Sequence, residues 1–179
     1  TLLDAEGKVD FRTGDVERVL YDTNGAKPKA IGVALTDGST IEADLVVLAT
    51  GAWTSKLVDL RGRAVATGQA IAYMRISDEE QRELENLPTI LNFATGIFII
   101  PPRDNLLKIA RHAYGYLNPV EVPVPGAGAS GSMVVSLPEQ GVPVPLEGQD
   151  AFRVALRQLL PRFAEREFVD TRVCWYTDT

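Results

Sequence analysis

Ile41-Glu42-Ala43-Asp44-Leu45-Val46-Val47-Leu48-Ala49-Thr50-Gly51-Ala52-Trp53 is the stretch on which the fold turns. Its middle, Leu45 to Ala49, is a continuous apolar run. Such a run suits a strand buried on both faces of a parallel sheet, whereas a half-wet sheet asks for alternation. It ends at Thr50-Gly51-Ala52. A glycine at the carboxyl end of a buried strand lets a ligand approach the backbone closely. An ordinary tight turn reads the same way from the residues alone. A short helical stretch, Trp53 to Leu60, is expected next.

Upstream, Lys8–Arg12 and Val16–Asp22 read as extended segments joined near Gly14. Asn24-Gly25 marks a turn. Asp37-Gly38 is a hairpin signal, entered by Ile31–Leu35 and left by Thr40–Ala43. Downstream the texture changes near Arg61-Gly62-Arg63. Ala66–Ile76 reads as a long strand. Ser77 and Glu80 stand at N-cap and capping-box spacing for a helix that ends before Pro88. Thr89–Phe93 and Ile97–Ile100 read as strands, Pro101–Asn105 as a turn, and Leu106–His112 as another strand. The Pro- and Gly-rich run from Asn118 to Gly148 reads as a long loop with a short strand near Met133–Ser136. Ala151–Leu160 has a helical apolar pattern stopped by Pro161, and Phe168–Tyr176 is strand-like. The class is α+β: a small α/β piece over residues 1–60, then an antiparallel piece with flanking helices over 61–175.

The 179 residues are 45% hydrophobic and 23% charged, the balance of a chain with a packed core. The net charge of −6 and pI near 4.9 argue against nucleic acid or an anionic membrane surface as partner. No apolar run is long enough to span a bilayer. A single cysteine makes no internal disulfide, which fits a reducing compartment. One histidine and one cysteine leave no His/Cys zinc set. The chain begins without methionine and stops directly after a strand-like run, so both ends read as cuts through a larger fold.

Two further groups of residues can carry chemistry. On the strand Leu107-Lys108-Ile109-Ala110-Arg111-His112, positions 108, 110 and 112 share a face. Lys108 there can hold positive charge, and His112 can bind a carboxylate or move a proton near neutral pH. A solvated strand face reads the same way. In Arg172-Val173-Cys174-Trp175-Tyr176, Tyr176 shares a face with Cys174. A lone strand cysteine is also well described as a small buried hydrophobe.

These segments together resemble the D-amino-acid-oxidase-like FAD-dependent flavoproteins. The similarity is to the branch of monomeric sarcosine oxidase and the fungal fructosyl-amine, pipecolate and saccharopine oxidases. Residues 41–53 are similar to that family's ADxVVLATGAW stretch, whose glycine turn lies against FAD. The resemblance thus implies cofactor contacts at Gly51, Ala52 and Trp53, and near the adenine at Val16. Lys108 and His112 match the family's LKxxxH strand, in which the lysine promotes reaction with oxygen and the histidine lines the substrate site. Cys174 matches a cysteine that forms a thioether to the flavin, and Tyr176 a tyrosine of the substrate pocket. Fructosyl-amine enzymes tend to carry acids at the His112 and Tyr176 positions. The two residues therefore imply a secondary amine or amino acid of sarcosine, pipecolate or saccharopine type as substrate, with O2 as co-substrate and hydrogen peroxide as product. A sugar-amine oxidase and a dehydrogenase that bypasses oxygen are the enzyme alternatives; a non-catalytic partner-binding domain is the alternative outside enzymes. Gln69 fits an RQ-like strand start of the family, with Gly68 in place of the arginine.

On this resemblance, residues 1–60 are part of an FAD-binding domain, 61–175 a substrate domain, and 176–179 the start of a return to the former. The family's G-x-G-x-x-G segment, its early substrate-binding arginine and its later GxSGHGFK-like segment are not in this sequence. Full FAD binding is expected to need those parts of the same protein. A peroxisomal or cytoplasmic location is the corresponding expectation.

Overall fold

In the computed structural model, which describes residues 9–179, Asp37-Gly38 forms a hairpin turn. The Asp37 carboxylate accepts from the Ser39 N–H at 2.8 Å and from its hydroxyl at 2.6 Å. Strand β2 (Lys29–Leu35) enters the turn and β3 (Thr40–Glu42) leaves it. β1 (Val16–Asp22) pairs with the other edge of β2, giving a three-stranded antiparallel sheet. The Val16–Asp22 strand lies where an extended segment was expected. Residues 9–12 form no strand, and Lys8 lies outside the described residues.

Leu45–Ala49 departs from expectation. It is extended chain without a strand partner among the described residues, and Leu45 and Val47 are each 78% exposed. An apolar run calls for burial, but only neighbouring strands can supply it. The helical stretch after it is shorter than expected: a 3-10 turn, Gly51–Trp53, leads into a single turn of helix, α1 (Thr54–Leu57).

The remainder is built on a five-stranded antiparallel sheet of order β10-β4-β7-β6-β5. Its members are β4 (Val65–Arg75), β5 (Ile90–Asn92), β6 (Ile97–Arg103), β7 (Leu106–Arg111) and β10 (Asp170–Asp178). β6 runs through the two prolines expected in a turn. The reversal is confined to Asp104 and Asn105, whose φ values are +53° and +58°. Prolines are tolerated here because the β6–β7 register slips between Ile100 and Arg103. Helix α2 (Asp78–Leu84) starts with the capping box read from Ser77 and Glu80. The Ser77 hydroxyl accepts from the Glu80 N–H at 3.1 Å, and the Glu80 carboxylate accepts from the Ser77 N–H at 2.8 Å.

One sheet face, with Ala70, Ala72, Met74, Leu107 and Ile109, packs on helix α3 (Leu146–Leu159). Phe152 and Leu156, one turn apart, are fully buried against it. Burying two such side chains contributes about 1.5–3 kcal/mol each. α3 begins five residues before the expected Ala151, inside the Pro- and Gly-rich run. That run also holds a full hairpin, β8 (Pro119–Pro123) with β9 (Ser132–Ser136), where a single short strand was expected. Val122, Met133 and Leu137 give the hairpin its own small core.

Candidate active site

Antiparallel register decides which side chains meet. In β10, Cys174 stands opposite Gln69 of β4, and Tyr176 opposite Thr67. In β7, Lys108 stands opposite Tyr73 of β4 and Ile100 of β6. Directly opposed residues project to the same face. Cys174, Tyr176 and Lys108 therefore share the sheet face away from α3.

His112 follows the last residue of β7, and its N–H donates to the Gly96 carbonyl at 2.9 Å. Its ring meets that of Tyr176 edge to face, with centroids 4.9 Å apart and planes at 78°. Such an aromatic pair contributes roughly 0.5–1.5 kcal/mol beyond its buried area. β4 separates β10, which carries Tyr176, from β7, which His112 follows, and the fold brings the two residues into contact. Burial, then the neighbouring Cys174, pushes the Tyr176 phenol above its ordinary value, so the hydroxyl stays protonated through the neutral range. The Cys174 thiol is free and half-buried. Lys108 is half-buried, with its ammonium 5.7 Å from the centre of the Phe98 ring.

The glycine turn forms a second part of the site. Val16, Thr50, Trp53 and Lys56 line one cleft of about 310 Å³. Thr54 ties the turn: its hydroxyl donates to the Gly51 carbonyl at 2.7 Å and meets the Thr50 hydroxyl at 2.9 Å. Ala52 is buried inside the turn, and Trp53 is 43% exposed. Gly51 has φ of +51°, and a Cβ placed there would meet no heavy atom within 4 Å. The backbone at Gly51 is thus open to close approach from outside. The turn packs against β10 and β4, which sets it next to the strand of Cys174.

Residues 3–179 match the profile described as "FAD dependent oxidoreductase". The chain belongs to that family. This FAD dependent oxidoreductase chain is 33% identical to the amino acid oxidase imqH of Aspergillus flavus, covering 96% of the chain and 43% of the relative. It is 30% identical to the L-saccharopine oxidase of Schizosaccharomyces pombe, over 83% of the chain and 34% of that protein. A fructosyl peptide oxidase from Aspergillus nidulans, solved in complex with FSA, superposes with a TM-score of 0.86 at 29% identity. It covers 98% of the chain and 42% of the solved protein. The oxidoreductase chain thus spans less than half the length of these relatives, and it shares their α+β fold.

The family binds FAD, and the residues present suit such a group. A polarisable sulfur, a protonated phenol, an imidazole and an ammonium stand on one sheet face. An open glycine turn and a cleft lie beside them. Beyond the match of Gln69 to a family strand start, the sequence did not single out the polar support on this face. Gln69, Thr67 and Asp178 form a hydrogen-bonded chain on the same sheet face as Cys174 and Tyr176, tied to Ala113 beside His112. The one local signal was a polar Thr67 and Gln69 in a strand otherwise made of small and apolar residues.

Proposed function

We propose that this chain supplies the substrate face and one edge of the cofactor site of an FAD-dependent oxidase. The enzyme oxidises the C–N bond of a secondary amine or amino acid and produces hydrogen peroxide. The observation that carries this reading is the gathering of Lys108, His112, Cys174 and Tyr176 on one sheet face, with His112 and Tyr176 in ring contact.

FAD, when bound, supplies the two-electron acceptor for the C–H bond next to nitrogen and returns the electrons to O2. The protein's residues hold and orient. The Cys174 sulfur is the tether, Val16 and the Gly51–Trp53 turn bound the cofactor's other end, and Lys108 places a positive charge where reduced oxygen species need one. His112 and Tyr176 fix the substrate: imidazole and phenol are hydrogen-bonding partners for a carboxylate or an amine.

Support for amino-acid substrates comes from the likeness to proteins named amino acid oxidase and L-saccharopine oxidase. The likeness to fructosyl peptide oxidase supports the sugar-amine reading. A His112–Tyr176 pair, in place of acids, favours the former.

The test is made on the full-length protein. Flavin absorbance should survive acid precipitation. Peroxide should form with pipecolate, sarcosine or saccharopine at higher kcat/KM than with fructosyl-valine. A colourless full-length protein would sink the oxidase reading. Flavin reduction by the amine without peroxide in air would point to the dehydrogenase.

A further inference from the structure

Gln69 is 3% exposed and stands in β4 directly opposite Cys174. A buried primary amide has two donors and an acceptor to satisfy. Here all its bonds run to the edges of the candidate site. The Ala113 N–H donates to Gln69 Oε1 at 3.1 Å, and Gln69 Nε2 donates to the Ala113 carbonyl at 3.3 Å. The same nitrogen donates to Thr67 Oγ1 at 3.2 Å. Thr67 is itself buried, and its hydroxyl donates to the Asp178 carboxylate. One run of donors leads from the Ala113 N–H through Gln69 and Thr67 onto the Asp178 carboxylate, and a second Gln69 bond returns to the Ala113 carbonyl. In a buried setting each bond polarises the next.

The placement of Ala113 gives this chain its consequence. β7 ends at Arg111, so His112 and Ala113 lie beyond the ladder that orients the residues before them. The His112 side chain is exposed, and its backbone is held on one side by Gly96 alone. On the other side the hold is the amide of Gln69 on Ala113, with the mutual Gly68–Tyr116 backbone bonds, each 2.8 Å, three residues further on. Gly115 closes over the same pair, and a Cβ there would come within 2.7 Å of Gln69 Nε2 and Thr67 Cβ. Packing does not demand an amide at this point, since a leucine fills similar volume. The amide's specific effect is to fix the backbone next to His112.

We propose that Gln69 is a positioning residue of this site: its amide grips Ala113 and thereby sets the His112 imidazole against Tyr176. The inference rests on the reading of His112 and Tyr176 as substrate groups.

The experiment uses the full-length, flavin-loaded protein with four variants: Gln69→Leu, Thr67→Val, His112→Ala and the Gln69→Leu/His112→Ala pair. With pipecolate, Gln69→Leu is expected to lower kcat/KM about 100-fold, the scale of a small misplacement of a binding group. In the His112→Ala background the same change is expected to matter less than about threefold, because residues acting as a unit are not additive. A merely structural Gln69 would cost the same in both backgrounds, and that result overturns the proposal. Hydrogen exchange of the 112 and 113 amides gives a readout free of turnover. It should accelerate in Gln69→Leu and stay at the wild-type rate in His112→Ala; unchanged exchange in Gln69→Leu also overturns the proposal. Should Gln69→Leu fail to fold, Thr67→Val removes one hydroxyl, with its bonds to Gln69 and Asp178, and leaves the Gln69 grip on Ala113 in place. It is expected to give about a tenfold loss with the same dependence on His112. A wild type that makes no peroxide from any secondary amine defeats the amine-oxidase reading. The exchange measurement then still decides whether Gln69 holds the His112 segment.

Discussion

Cys174 sits mid-strand, half-buried and free, with Tyr176 beside it on the same sheet face. If its sulfur is the cofactor tether, Cys174→Ser should leave a protein that folds but releases its flavin into the supernatant on acid precipitation. Absorbance of pellet and supernatant reads this directly, and a yellow pellet from the serine variant would refute the tether. Gly96 matters for a different reason. Its φ is +70°, and a Cβ there would lie 2.0 Å from the His112 carbonyl oxygen. Gly96→Ala is expected to cost about 1–3 kcal/mol from backbone conformation alone, with the contact adding to it. It should also raise KM by displacing His112. A thermal melt together with steady-state kinetics checks both effects.

At the scale of elements, α2 shows how local chemistry and distant packing join. Glu80 closes the capping box on Ser77 and also receives the Arg166 guanidinium, at 2.6 and 2.7 Å. The Arg166 hydrogen bonds, followed by the Ser77 N–H, hold the Glu80 carboxyl down to about 2 from an ordinary 4.5. The unfolded chain therefore takes up this proton first as pH falls. The stabilisation is complete above about pH 4.5 and drains away as pH drops toward 2. Glu80→Gln should flatten that part of a melting-temperature curve against pH, with little change in its slope above pH 5. An unchanged acid slope in the variant would show that the pair contributes nothing to it.

The same element explains what can be read locally. Ser77-Asp78-Glu79-Glu80 announces its helix because a cap is made by residues three apart. The Asp37-Gly38 hairpin and the β7 face carrying Lys108 are equally local, set by turn chemistry and a period of two. The β8–β9 hairpin was hidden because its strands are bordered by prolines and glycines that also describe loops. Its pairing is fixed by Val122 and Met133 meeting in a small core.

Across the whole molecule, α3 is the principal cover of one sheet face, and Phe152 is its fully buried centre. Phe152→Ala is expected to destabilise by about 3–5 kcal/mol through lost burial and the cavity left behind. Denaturant unfolding measures this. A loss under about 1 kcal/mol would mean that α3 is not anchored through this residue.

The sequence by itself determined the α+β class, most strand and helix positions, and which strand residues share a face with Lys108 and with Cys174. Those properties depend on composition, periodicity and short motifs, which neighbouring residues share. The tertiary structure alone decided that the His112 and Tyr176 rings touch, that Gln69 bonds the backbone of Ala113 beside His112, and that Leu45 and Val47 stand exposed where a buried strand was expected. Each of these depends on partners far along the chain. Register across β10, β4 and β7 sets the first two. For the third, an apolar run states a need for burial without naming what meets it.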